Sequence, residues 1–324
     1  MNKYISLLIV TLAEATIGVF VKLSTDFFSI YSINFYRVFF ALIFMLIVIP
    51  FIDKKFWKLS KENIKSVIII GALIALQISM FNVAMSMAPI ANVVIFWSVA
   101  PFFVFIFSNL FLKEPVKKEH IFIFIIALVG IFIAKPLKEG AATGNIIALI
   151  DGAVYAALVT YMRYEGKTDS ATLVVWYMFV ATIILLPMIF IFGSGNLLAT
   201  QVYQGFFNLQ IPAIVWLICL GFISTGLAYI FIANVLRKIK VAIYSLVDII
   251  VSPIVAAFFG YIIFFEKPSS NMIYGGILLL ISGFWLSSSM STKKNKPIIF
   301  LINLFKKPHK EEMENPLIKN KQIK

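Results

Sequence analysis

Ten runs of about twenty mostly apolar residues dominate this chain of 324 residues. They lie at roughly 4–23, 31–52, 66–87, 91–112, 119–136, 145–163, 172–192, 212–234, 241–264 and 271–290. Charged residues make up 13% of the sequence and hydrophobic ones 61%. A soluble domain carries about 25% charged residues, so this chain lacks the polar surface to stay in water. In hydrocarbon a backbone must satisfy its own hydrogen bonds, and runs of this length do so as helices. The expected fold class is an all-α polytopic membrane protein with ten transmembrane helices. Connections such as Met87–Ile90 and Arg237–Lys240 are short enough to make their flanking helices antiparallel neighbours. The longer stretch from Gly193 to Gln210, with Tyr203, Phe206 and Phe207, reads as an interfacial half-helix or a surface loop. The first run contains Glu14 and has no small-residue cleavage site, so it reads as a retained helix, not a signal peptide.

The formal charge of +13 invites a nucleic-acid reading, but its distribution argues for topology. With the amino terminus inside, the cytoplasmic loops hold fourteen Lys and Arg before the tail is counted, against five on the other side. Positive residues collect in cytoplasmic loops, which puts both termini in the cytoplasm of a multi-pass protein of the plasma membrane. No nucleic-acid partner is implied. The tail 291–324 is basic, and its apolar segment Pro297–Phe305 between lysines suits the surface of an anionic leaflet; a tail without a role of its own is the equal alternative. Cys219 is the lone cysteine and His120 and His309 the only histidines. No disulfide, metal site or cofactor is therefore expected.

Rarer residues recur in order at a fixed offset. Asn82, Val83, Pro101 and Glu114 return 152 residues later as Asn234, Val235, Pro253 and Glu266. After a one-residue insertion, Pro115 and Gly130 return as Pro268 and Gly283. Such self-similarity reads as an internal duplication, with a first repeat at 1–137, a second at 138–290 and the tail beyond. Five helices per copy is an odd number, so the second copy enters the membrane upside down. Inverted five-helix repeats are a recurrent transporter architecture, with the substrate site near the midplane.

The pattern resembles the EamA-like branch of the drug/metabolite transporter superfamily. The residues that carry the resemblance are Glu14 with Ile17-Gly18, Arg37, Ala88–Asn92, Pro101 and Leu112–Pro115 in the first half. In the second half they are Ala228-Tyr229, Asn234, Ala242, Pro253, Phe265–Pro268 and Gly275-Gly276. The chain departs from the family in one place, with Ile17-Gly18 where Trp-Gly is frequent. The resemblance implies export or exchange of small metabolites, amino acids prominent among them.

Ionisable and polar residues inside a membrane are costly and point to function. Glu14 in the first helix and Asp151 in the sixth hold matching positions, with Gly18 and Tyr155 four residues on. Such paired acids suit a cation or ammonium site or a proton relay, which leaves proton coupling open; each could equally be a packing acid held by neighbouring helices. Arg37 in the second helix could pair with Glu14 or grip a substrate carboxylate. Asp248 in the ninth helix, near Tyr244, has Phe96 as its repeat mate, beside Trp97. Acid facing aromatic would suit an amphipathic amine by cation–π attraction; packing is the plain alternative for each ring in a chain with 33 Phe. Asn82 with Asn234, and Gln77 with Tyr229, form further equivalent pairs. Pro101 and Pro253 free the carbonyls of residues 97 and 249 and kink their helices. Glu114 and Glu266 read as caps or as gate ion pairs with Lys113 and Lys267.

These features point to a secondary transporter of a small polar or amphipathic metabolite, amino acids or related amines first, working by alternating access as a monomer or homodimer in the lipid bilayer. An organic-phosphate or nucleotide-sugar carrier is the alternative within transport. It would want cationic residues in its cavity, whereas the intramembrane acids Glu14, Asp151 and Asp248 outnumber Arg37. A membrane-embedded enzyme or a receptor is the alternative outside it. An enzyme would need a nucleophile or metal set, and no catalytic residues stand out.

Overall fold

A computed structural model describes residues 3–52, 58–112, 118–134, 140–165, 171–202, 210–238 and 255–290. The described chain is almost wholly helical. Its helices are α1 (Lys3–Ala15), α2 (Ile17–Thr25), α3 (Ile30–Ile52), α4 (Ile64–Met87), α5 (Ile90–Trp97), α6 (Ala100–Leu112), α7 (Lys118–Ala134), α8 (Ala142–Glu165) and α9 (Ala171–Phe192). There follow α10 (Ala213–Cys219), a π-helical segment (Leu220–Leu227), α11 (Ala228–Lys238), α12 (Val255–Phe264) and α13 (Ser270–Met290). Seven helical spans among the described residues are long and apolar enough to cross a membrane. Val255–Phe264 and Ser270–Trp285 are shorter apolar stretches, and residues 239–254, which hold the start of the expected ninth span, lie outside the described residues.

Three of the spans are interrupted, each for a local reason. Ile5–Thr25 divides into α1 and α2 at Thr16, whose hydroxyl bonds to the Ala13 carbonyl at 2.7 Å. Ile90–Phe111 divides into α5 and α6 at Ser98-Val99. Pro101 sits at the second position of α6, where its missing N–H costs no helical bond; it therefore starts a helix, where the sequence suggested a kink within one. The span Ala213–Ile232 carries the π-helical segment, in which the Thr225 hydroxyl reaches the Leu220 carbonyl five residues back at 3.0 Å. Between α4 and α5, Ala88 is extended at φ −145° and ψ 158°, as the residue before Pro89 favours.

Among the described residues, the stretch after α9 holds no helix. Thr200–Val202 pairs antiparallel with Gln210–Pro212 as a two-stranded ribbon; Tyr203, Phe206 and Phe207 lie outside the described residues. Ahead of the ribbon, Ser194 is tied to the start of α3, donating to the Ser32 hydroxyl at 3.0 Å and accepting from the Ser29 amide at 3.0 Å.

Helix α3 lies along α9 and the π-helical segment, α4 along α8 and α9, α6 along α8, α1 along α11, and α7 along α13. In lipid the hydrophobic effect does not drive such pairing. Close packing and interhelical hydrogen bonds do. Small residues allow the closest approaches. A Cβ on Gly152 of α8 would stand 3.2 Å from the Trp97 carbonyl oxygen, so α8 passes directly over the break between α5 and α6. A Cβ on Gly221 would stand 2.4 Å from Cβ of Phe40, where the π-helical segment crosses α3.

Candidate functional site

The three interruptions converge on one cavity of about 50 Å³. Its wall includes Glu14, just before the first break, Trp97, just before the second, and Ser224 within the π-helical segment. Thr16 and Ser224 share a hydrogen bond at 2.7 Å, which joins the first and third interruptions across 208 residues. A helix that loses its regular bonding is tolerated at membrane depth only where protein or a cavity receives the freed groups, and all three breaks meet that condition here.

Arg37, Gln77, Tyr155 and Tyr229 also line the cavity. Arg37 is 3% exposed. Its Nε donates to Thr225 Oγ1 at 2.9 Å and its Nη1 to Asn82 Oδ1 at 2.5 Å. Asn82 passes the chain on, donating through Nδ2 to Asn34 Oδ1 at 2.8 Å. The guanidinium is thus anchored by neutral oxygens from two other elements. The acids Asp151 and Glu14 and the Tyr229 hydroxyl lie within electrostatic reach of it. The expected Glu14–Arg37 relationship takes this form: both groups face one cavity, and the hydrogen bonds named for Arg37 go to Thr225 and Asn82.

Asp151 is fully buried behind the wall. Gln77 Nε2 donates to its Oδ2 at 3.1 Å, while Oδ1 has no hydrogen-bond partner among the described residues. An acid so placed is a poor packing element, because a buried acceptor left unsatisfied costs about 1–3 kcal/mol.

One side of the cavity is aromatic. The Trp97 ring lies 5.9 Å from Phe81, edge to face, and 4.8 Å from Tyr155. Its indole N–H has no acceptor among the described residues. Phe96 is placed differently from the sequence expectation. It is fully buried in the protein core and is absent from the cavity wall. Adjacent residues lie roughly 100° apart around a helix, and on α5 it is Trp97 that meets the cavity. The side chain of Asn234, and Tyr244, Asp248 and Pro253 entirely, lie outside the described residues.

Sequence reasoning missed Thr16, Asn34, Ser224 and Thr225. Serine and threonine are ordinary in membrane helices and bond to their own backbone, as Thr11 does to Leu7 and Thr182 to Met178. The one local signal was Gly221 and Gly226 flanking Ser224-Thr225 in an otherwise apolar run. Glu266 also needs a correction. It pairs with Lys22, not the adjacent Lys267, at 2.5 Å, and its Oε2 accepts the Ile90 amide at 2.8 Å. Lys113 and Glu114 are outside the described residues. Among the described residues no cluster of His, Cys, Asp and Glu could hold a metal ion.

Comparison with known proteins bears on this arrangement. The pseudopaline exporter CntI of Pseudomonas aeruginosa is 22% identical over 236 residues, covering 71% of this chain and 77% of the exporter. The uncharacterized transporter YoaV of Bacillus subtilis is 23% identical over 256 residues, covering 77% of this chain and 84% of YoaV. A protein of known crystal structure, 11% identical, superposes with a TM-score of 0.64 over 90% of this chain and 99% of its own, which establishes the likeness of fold alone. The profile of the EamA-like transporter family matches residues 1–134 and again residues 142–289. With both halves matched, and with several membrane-length helices around a cavity that holds Glu14 and Arg37, the chain belongs to the EamA-like transporter family, a branch of the drug/metabolite transporter superfamily.

Proposed function

We propose that this chain is a secondary transporter that moves amino acids or related amines across the plasma membrane by alternating access, with both termini in the cytoplasm. The observation that carries the reading is the convergence of three interrupted spans on a cavity holding Glu14 and Arg37, with Asp151 behind its wall. The acids suit an ammonium group and Arg37 a carboxylate, while Trp97 and Tyr155 offer aromatic faces to a cation. The cavity, about 50 Å³, is far below the roughly 300–1,000 Å³ of small-molecule sites. Substrate enters only as the surrounding helices move apart, as an alternating cycle requires.

The rocking bodies are two five-helix repeats of opposite orientation, residues 1–137 and 138–290. The helix pairing supports this division. Exchanging the repeats turns the α4–α8 contact into that of α1 with α11, and the α3 contact with the π-helical segment into that of α4 with α9. The pairs α3–α9 and α7–α13 map onto themselves. Export is the direction we favour, because the Pseudomonas relative is an exporter. The mechanism uses no covalent step, so enzymatic chemistry has no part in it.

The test is flux in liposomes containing the purified chain, with labelled amino acids and amines and with wild type beside Glu14→Gln. Saturable flux of one substrate, reduced at least tenfold by the substitution, is the expected result. Flux equal in both proteins would remove Glu14 from the path. No flux under either imposed gradient would sink the amino-acid and amine assignment.

A further inference from the structure

A second cavity lies on the opposite face of α8. Tyr155, Leu158, Val159 and Met162 of α8 face the central cavity. Ala157, Thr160, Tyr161 and Tyr164, each stripe at helical spacing, line a groove that is completed by Leu73 of α4 and by Phe107 and Phe111 of α6. Its volume is about 460 Å³. It is an open groove, far larger than the voids a packed interior leaves. Its rim is formed by the exposed side chains of Phe111 and Tyr164, beside the equally exposed Leu110. Exposed apolar residues on a membrane-spanning helix meet lipid, so the groove opens sideways into the bilayer.

Thr160 is the one residue in this wall without an aromatic ring or an aliphatic side chain. It is 4% exposed, and its hydroxyl has no hydrogen-bond partner among the described residues. That is unusual for this protein. Thr11, Ser24, Ser98, Thr182 and Ser282 all turn their hydroxyls onto the carbonyl four residues back. Thr160 has a carbonyl available at the same offset and does not use it. A buried hydroxyl left without a partner is costly, and a ligand carrying an acceptor would remove that cost.

Depth identifies the ligand. Thr160 is five residues from the end of α8 at Glu165, about 8 Å at roughly 1.5 Å per residue. The 24-residue helix is about 36 Å long and the hydrocarbon core about 30 Å thick. Thr160 therefore lies just inside the core boundary, where the ester carbonyls and first methylenes of a phospholipid sit. Tyr161 and Tyr164 flank it at the level favoured by interfacial tyrosines. We propose that the α4–α6–α8 groove is a binding site for one glycerophospholipid, with an acyl chain between Leu73, Phe107 and Phe111 and an ester carbonyl accepting a hydrogen bond from Thr160. The site shares α4 and α8 with the central cavity, so the lipid contacts two helices that also form the transport pathway.

The experiment uses the full chain, purified in a mild detergent, loaded with dioleoylphosphatidylglycerol and then washed to remove loosely held lipid. Native mass spectrometry counts the phospholipid retained. Wild type should keep one molecule per chain. Ala157→Phe, which fills the groove from α8, should lower occupancy at least tenfold, and Thr160→Val, which removes only the hydroxyl, severalfold. Leu73→Phe fills the groove from α4 and serves where Ala157→Phe does not fold, folding being read by thermal unfolding. Equal retention by wild type and the filled variants would overturn the site. Retention unchanged by Thr160→Val would overturn the ester contact. Displacement of the lipid by a water-soluble aromatic amine at equal occupancy would overturn the lipid assignment.

Discussion

Lys22, at the end of the first span, and Glu266, 244 residues later, meet at 2.5 Å. The other carboxylate oxygen of Glu266 accepts the amide of Ile90, the first residue of α5. One side chain thus holds α2, α5 and the connection before α13 together at one end of the bundle. Phe265, beside it, adopts the left-handed φ of 55°, and the Glu266 amide bonds to the Gly260 carbonyl at 3.1 Å. The ion pair is partly buried, with side chains 21% and 16% exposed, and under the alternating access proposed above, opening this end of the bundle to solute would require it to break. With Cys219 replaced by serine and Met85→Cys as a reporter on the cavity wall, Glu266→Gln should speed labelling by an impermeant thiol reagent severalfold. The exchange Lys22→Glu with Glu266→Lys should restore only part of the protection, since a lysine cannot accept the Ile90 amide. Unchanged labelling in Glu266→Gln would remove the ion pair from the gating path.

Gly221 lets the π-helical segment press against α3. An added Cβ would meet Phe40 Cβ at 2.4 Å, with the Arg37 carbonyl and Ala41 amide backbone at 3.0 Å. Backbone cannot swing aside as a side chain tip can. Gly221→Ala should destabilise the protein by about 1–3 kcal/mol, the usual range for overpacking, read as a lower unfolding temperature in detergent. Because Thr225 and its bond to Arg37 sit on the same segment, transport should fall as well.

Much of this arrangement was legible from the chain alone. Glu14, Arg37, Gln77 and Asn82 stand out because each interrupts an apolar run, and a polar group in hydrocarbon must find a partner. What could not be read was which partner. Arg37 reaches Thr225 and Asn82 through helix crossings set by Gly221 and the π-helical turn, and no periodicity encodes that turn. The Lys22–Glu266 contact joins the two ends of the sequence, so neighbours such as Lys267 mislead. Phe96 and Trp97 are indistinguishable by composition, and only the orientation of α5 decides which one meets the cavity. The lateral groove was equally hidden, since Thr160 has the same local sequence environment as hydroxyls that bond to their own helix.

Arg37 carries the only positive charge among the described residues of the cavity wall. Removing one member of a buried charged set is costly, about 3–5 kcal/mol when it leaves an opposite charge uncompensated. Arg37→Leu should therefore lower the unfolding temperature and abolish transport. Arg37→Lys keeps the charge but offers a single ammonium in place of the planar fork that spans Thr225 and Asn82. It should retain most of the stability and lose transport of substrates that carry a carboxylate, while simple amines are spared. Equal loss for both substrate types would assign Arg37 to structure alone.

Asp151 separates stability from function most sharply. It is fully buried, with a single hydrogen bond, from Gln77, among the described residues. Asp151→Asn keeps an oxygen for Gln77, adds a donor and removes the cost of holding a carboxylate in a low-dielectric interior. The unfolding temperature should stay level or rise. A carboxylate retained against that cost is expected where charge is used, in binding a cation or passing a proton. Flux in liposomes should accordingly fall at least tenfold in the same variant. A fall in both stability and flux would make Asp151 a packing residue, and a rise in stability with full flux would leave the acid without a role in transport.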